Sequence, residues 1–183
     1  MNNDIFYNIL KEVEERSYLK SEDIPSLDLY MDQIMTLFDV NLANNKRYES
    51  DKLLTKTMIN NYSKEGLLQP IKGKKYSKEH ILQMLLIYSL KNTISIQEIK
   101  RVLKPYHRSN ESIEDTYNEF LLHESQLSHR LSESIESFVK DNQFQLDDPH
   151  QLTTILLLIC ALSNQLKTIA EKMLDTYYEN EKK

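Results

Sequence analysis

Residues 53–76, LLTKTMINNYSKEGLLQPIKGKKY, gather the side chains whose types and spacing can do chemistry. At about 100° per residue, Lys56, Thr57, Asn60, Asn61, Lys64 and Glu65 fill one half of a helix, and Met58, Ile59 and Tyr62 cluster on the other. The apolar half predicts a side turned to a core. The polar half carries lysines that can hold phosphate and two carboxamides that can pair in bidentate fashion with an adenine edge. That chemistry is nucleic-acid recognition. The rival reading is an ordinary solvated helix running into a lysine-rich loop.

The chain's two glycines both lie in this stretch. Gly66 follows the helix where a residue at positive φ can close it, returning Leu67 and Leu68 to the core. Gly73 stands between Lys72 and Lys74, where a tight turn lets two short strands reverse, and Pro70 bars further helix. The skeleton predicted is a helix, a sharp stop and a basic hairpin, or wing, presenting Lys72, Lys74, Lys75 and Tyr76.

Other chemistries are set aside. Glycines at 66 and 73 alone allow no glycine-rich phosphate loop. His80, His107, His123, His129 and His150 lack metal-ligand spacing and read as surface or capping residues. Cys160, in LLLICAL, reads as a small buried hydrophobe. No acid, base and nucleophile converge, so no enzyme, metal or cofactor is expected. Tyr88, Tyr117, Tyr177 and Tyr178 are either core residues or the lining of a cavity for a small-molecule effector.

The formal net charge of −5 alone disfavours a nucleic-acid binder, but its distribution does not. Seven lysines face two glutamates between Lys52 and Glu79, a local +5 on an otherwise acidic chain. Such a patch attracts phosphate within a Debye length of about 10 Å at 0.1 M salt. A single cysteine excludes an intrachain disulfide, and MNNDIFYNILKEVEERS has neither a positive leader nor a long apolar core. A reduced cytoplasm is the expected compartment. The apolar run 155–162 is shorter than the roughly 20 residues of a membrane span and reads as a buried helix segment.

The positioning elements follow from periodicity. Ile5, Phe6, Ile9, Leu10 and Val13 predict an amphipathic helix over 4–16 that packs on the rest, and Ser21 to Ser26 a linker. A second helix is predicted over 27–42, then a polar loop over 41–51 whose Lys46 and Arg47 are solvated or touch phosphates. Ser77 caps a helix over 78–91, apolar on most sides and therefore central. Ser95 and Glu98 form a capping box for a helix that Pro105 ends. Beyond it, Ile113, Tyr117, Phe120, Leu127, Leu131 and Phe138 keep a weak heptad. After Pro149, Leu152, Leu156, Ile159, Leu166, Ala170, Met173 and Tyr177 keep a 4-3 spacing. Two long helices joined at 141–148 make a hairpin with more apolar surface than one partner helix covers. A homodimer through it is expected; the alternative is an intramolecular bundle with the N-terminal helices.

NNYSKEGLLQP, KKYSKEHI and SIQEIKRVL resemble the MerR-type winged helix: an aromatic-rich recognition helix ending in Gly-Leu-Leu, a Pro, a wing closing in Arg-x-Tyr, and two further helices. With DLYMDQIMTLF, LTKTMINNYSKEGLLQP and KKYSKEHILQMLLIYSLKN, the stretch from about Leu27 to Leu103 looks like a bacterial family of MerR-like proteins known only as a domain of unknown function. The resemblance implies binding to double-stranded DNA. Asn60, Asn61 and Tyr62 stand where MerR proteins place Arg-Tyr-Tyr; Lys74 and Tyr76 take the places of the wing arginine and tyrosine. The wing is several residues shorter, and 41–52 is longer than a helix-turn-helix turn of roughly three or four residues.

The reading is an all-α chain with a MerR-like winged helix-turn-helix, a minimal β-wing and a long C-terminal helical hairpin. Its divisions are 1–26, 27–105 and 106–183. The function expected is a sequence-specific DNA-binding transcriptional regulator acting as a dimer, using Lys56, Thr57, Asn60, Asn61, Lys64, Lys72, Lys74, Lys75 and Tyr76. The alternative is a helical adaptor whose winged fold binds a protein.

Overall fold

The computed structural model describes residues 2–71, 73–108 and 111–178. Its elements run α1 (Asn2–Glu14), β1 (Leu29–Tyr30), α2 (Met31–Asn41), α3 (Lys56–Lys64), β2 (Lys75–Tyr76), α4 (Lys78–Leu90), α5 (Ile96–Arg108), α6 (Ile113–Asp141) and α7 (Pro149–Tyr177). The fold is thus predominantly helical, with one two-stranded antiparallel ladder in which Leu29 faces Tyr76 and Tyr30 faces Lys75.

Two compact units divide the chain, and not at 26 and 105. One joins 1–16 to 121–169; the other joins 17–120 to 170–183. The reason is packing at both expected boundaries. The segment after α1 is no free linker: Leu19 and Ile24 are buried, and the Asn45 carboxamide bonds the Ser17 backbone in both directions at 2.7 and 3.0 Å. Nor does Pro105 end α5, which continues to Arg108 with the proline inside it. A proline there removes one helical hydrogen bond. The turn beyond it is held from outside, because the Tyr106 carbonyl accepts from Gln69 Nε2 at 3.4 Å and its hydroxyl donates to Thr116 Oγ1 at 3.1 Å.

The 17–120 unit is built round α4. Ser77 caps it, and His80 takes the place of the usual glutamate in the capping box, its Nδ1 accepting the Ser77 N–H at 3.1 Å. Ile81, Leu82, Met84, Leu85 and Ile87 are at most 2% exposed. Burying each such side chain is worth about 1.5–3 kcal/mol as an upper estimate, so α4 is the largest single hydrophobic contribution. Ile34 and Phe38 of α2, Ile59 of α3, Ile99 and Leu103 of α5 and the first turns of α6 complete the core. From the far end of α7, Leu174 is buried, and the Arg101 guanidinium donates to the Leu174 and Tyr178 carbonyls at 2.6 and 2.8 Å. A cation there is favourable at the negative end of the helix dipole.

The other unit is α1 with the later part of α6 and most of α7. Val139, Leu146 and Ile155 form its core with Phe6, Phe144 and Ile159. The α6–α7 turn is fixed by Asn3, whose carboxamide donates to the Phe144 carbonyl at 2.9 Å and accepts the Leu146 N–H at 3.2 Å. Two expectations are corrected. Helix α1 buries only one side, leaving Ile5, Ile9 and Val13 exposed, and the 155–162 run is not a buried segment. Within it Leu156, Leu157, Leu158 and Cys160 are exposed, since α1 and α6 cover a strip of α7 too narrow for its apolar surface. By length and composition alone, α7 is also long and apolar enough to cross a membrane.

Candidate nucleic-acid interface

Helix α3 is held in one register from both ends. Thr55, in extended backbone, accepts the Met58 N–H at 3.1 Å through its side chain, a proper N-cap. At the other end Gly66 has φ +70; its N–H reaches the Ser63 carbonyl at 3.2 Å, and the Leu67 N–H reaches the Tyr62 carbonyl at 2.9 Å. This is the Schellman closure, and it drops Leu67 and Leu68 into the core. Ile59 and Tyr62 are buried, the latter with its phenol pKa pushed up by desolvation. Lys56, Thr57, Asn60, Asn61, Lys64 and Glu65 are all exposed, on the half of the helix the periodicity assigns to solvent.

The lysine turn departs from the expected hairpin. Gly73 and Lys74 both take left-handed backbone, φ +61 and +65. Yet β2 pairs with β1, just before α2, not with the residues ahead of the turn. Those residues are committed elsewhere: the Gln69 N–H donates to Gln83 Oε1 on α4 at 3.1 Å, and Pro70 has no N–H to offer a ladder. Lys74 and Lys75 remain exposed, with the Lys75 ammonium 5.1 Å from the centre of the Tyr30 ring. Lys72 lies outside the described residues.

Tyr76 leaves the candidate set. It is 2% exposed, packed edge-on against the His80 ring at 5.9 Å, with its pKa raised by burial. Strand alternation explains this: with Lys75 turned to solvent, the next residue must face the core. His80 in turn bonds the Gln69 carbonyl through Nε2 at 3.2 Å, so the imidazole ties the turn to α4.

The sequence reading missed two neighbours at the start of α2. Asp32 Oδ1 lies 2.8 Å from Lys56 Nζ, and Tyr30 takes Lys75. Both Lys56 and Asp32 are well exposed, and such a pair contributes only about 0–1 kcal/mol, so Lys56 is free to exchange a carboxylate for a phosphate. The signal available was DLYMD directly ahead of an apolar helix, which places Tyr30 and Asp32 at its N-terminus. On the other flank, Asn61, Lys64 and Glu65 share an open groove of about 430 Å³ with Ile96 and Gln97 at the start of α5.

In the loop after α2, Lys46 is paired with Asp39 at 3.1 Å and Arg47 lies over Tyr48 at 5.3 Å. The four tyrosines weighed as a ligand lining have unlike surroundings: Tyr117 is core, Tyr88 packs edge-on against Phe38, and Tyr177 is 77% exposed. His129 contacts Glu14 at 2.8 Å and Glu133 at 3.4 Å. Among the described residues no three histidine, cysteine or acidic side chains are grouped to hold a metal.

The family model described as Domain of unknown function (DUF1836) matches residues 19–120, more than half of the chain and nearly the whole continuous part of the α4-centred unit. No curated protein and no solved structure matches.

Proposed function

The chain belongs to the DUF1836 family, and from that premise we propose that its 17–120 unit binds double-stranded DNA and that the protein is a cytoplasmic transcriptional regulator. In this reading α2 and α3 are the two helices of a MerR-like winged helix-turn-helix, and the Gly73–Lys75 turn is its minimal wing. Lys56, Asn60, Asn61 and Lys64 enter the major groove; Lys74 and Lys75 hold the flanking backbone. One observation carries it: α3, locked at both ends and sunk through Ile59 and Tyr62, presents lysines and paired carboxamides on its exposed half. Asparagines supply base reading and lysines supply affinity.

A second reading is an adaptor that binds a protein. What favours it is that Tyr30, paired with Lys75 across the ladder, and Ile71, just ahead of the lysine turn, are 53% and 38% exposed, and that Lys56 already has a carboxylate partner.

Fluorescence anisotropy with random duplex and with DNA from upstream of the protein's own gene, at about 50 and 200 mM salt, separates them. The DNA reading expects salt-steep binding that favours the upstream DNA, with a slope reduced by up to about 2 when Lys74 and Lys75 become Ala. No binding to either duplex at the lower salt overturns it and leaves the adaptor.

A further inference from the structure

The 1–16 and 121–169 unit has an imbalance between what it buries and what it exposes. Among the described residues three apolar side chains are buried, Val139, Leu146 and Ile155, whereas α1, α6 and α7 leave thirteen large apolar side chains exposed within the same unit. Between α6 and α7 runs an open groove of about 370 Å³ lined by Leu131, Ile135, Phe138, Leu158, Ile159 and Leu162 among others, with Ser134 the polar exception. A contiguous apolar groove of this kind marks a surface meant to be covered.

We propose that its occupant is a second copy of this chain, whose α7 lies in the α6–α7 groove while its own groove receives α7 in return. The inference stands on this unit alone, whatever the 17–120 unit binds.

Three features select a second copy. The groove runs between two helices and is apolar but for one serine, so it fits the apolar side of a third helix. Away from the groove, α6 carries charges of both signs, Arg130, Glu133, Glu136 and Lys140, with Lys140 paired to Glu136. Charges of both signs round this helix are costly inside a bilayer. Finally, groove and ridge lie on the same helix, since Leu158, Ile159 and Leu162 line the groove while Leu152 and Leu156 stand exposed beside it. That is the arrangement an isologous pair requires. Half a dozen half-exposed leucine and phenylalanine side chains, at roughly 100 Å² each, supply most of the ~800 Å² per partner of a stable interface.

The test is sedimentation velocity of the full chain over about 1–100 μM, with Leu158→Glu and Leu157→Glu as paired variants. Leu158 lines the groove; Leu157 is 65% exposed and does not. Circular dichroism establishes that both remain helical, and Leu158→Ala serves if Leu158→Glu does not fold. A dimer is expected for the wild type and for Leu157→Glu, with association weakened roughly 100-fold or more by Leu158→Glu and about 10-fold by Leu158→Ala. A wild-type monomer throughout the range overturns the proposal. So does a dimer indifferent to both Leu158 variants, or a wild type that floats with phosphatidylcholine vesicles and does not self-associate.

Discussion

The Tyr117 hydroxyl donates to the Leu19 carbonyl oxygen over 2.9 Å, with both residues no more than 1% exposed. These residues sit at opposite ends of the 19–120 match, so one buried bond staples the first and last segments of the family region. Burial, with a smaller contribution from Tyr18, drives the phenol pKa well above its usual range and keeps the donor protonated. Tyr117→Phe removes the donor and leaves a buried acceptor, which costs about 1–3 kcal/mol. Urea unfolding should show a lower midpoint at unchanged slope, and an unmoved midpoint would mean that water replaces the hydroxyl.

Asp32 holds Lys56 on the free face of α3. If Lys56 contacts phosphate, Asp32 competes with the DNA and repels it. Asp32→Asn should therefore tighten binding to any duplex and steepen the salt dependence by up to about 1, while changing stability by less than about 1 kcal/mol because both groups are exposed. Weaker binding by Asp32→Asn would instead make the carboxylate part of the recognition surface.

Gly66 is required by backbone geometry, not by space. A Cβ added there meets nothing nearer than the Lys100 side chain at 3.9 Å, but φ +70 is left-handed. Gly66→Ala should cost about 1–2 kcal/mol. Leu67 and Leu68 depend on this closure, so the loss should appear as a lower thermal midpoint, with α3 less protected in hydrogen exchange. Wild-type stability in Gly66→Ala would show that the helix end relaxes into another closure.

Local signals made α3, its Gly66 stop, the Ser77 cap and the buried sides of α4 legible in the sequence, because each rests on residues within one or two turns of one another. The exposed set Lys56, Thr57, Asn60, Asn61 and Lys64 follows from the same periodicity. What escaped were relationships set by distant partners. Tyr76 is carried inward by its pairing with Leu29, and Lys56 meets Asp32 from another helix. Pro105 is overruled by Tyr106's bonds to Gln69 and Thr116. The unit boundaries were hidden for a related reason: α6 and α7 each contribute to both units, so composition changes nowhere near the break.

His107 gives a pH dependence whose sign is fixed. Its Nε2 is buried without a hydrogen-bond partner, and its pKa is lowered from 6.5, mainly by desolvation and against the opposing pull of Glu79 and of a backbone bond at Leu67. The folded chain therefore takes up this proton at lower pH than the unfolded chain does. Below about 6.5 the unfolded state binds more protons, and stability falls as pH drops until the depressed folded value is passed. His107→Gln removes the titrating group, so the stability difference between wild type and variant should shift in favour of the variant as the pH is lowered from 7.5 to 5.5, roughly the window in which a histidine charges. Chemical denaturation at a series of pH values reads this directly. A difference that stays flat would place the His107 ring in a more solvated setting than its orphaned Nε2 implies. A shift in the opposite sense would give Glu79 the larger hold on the imidazolium.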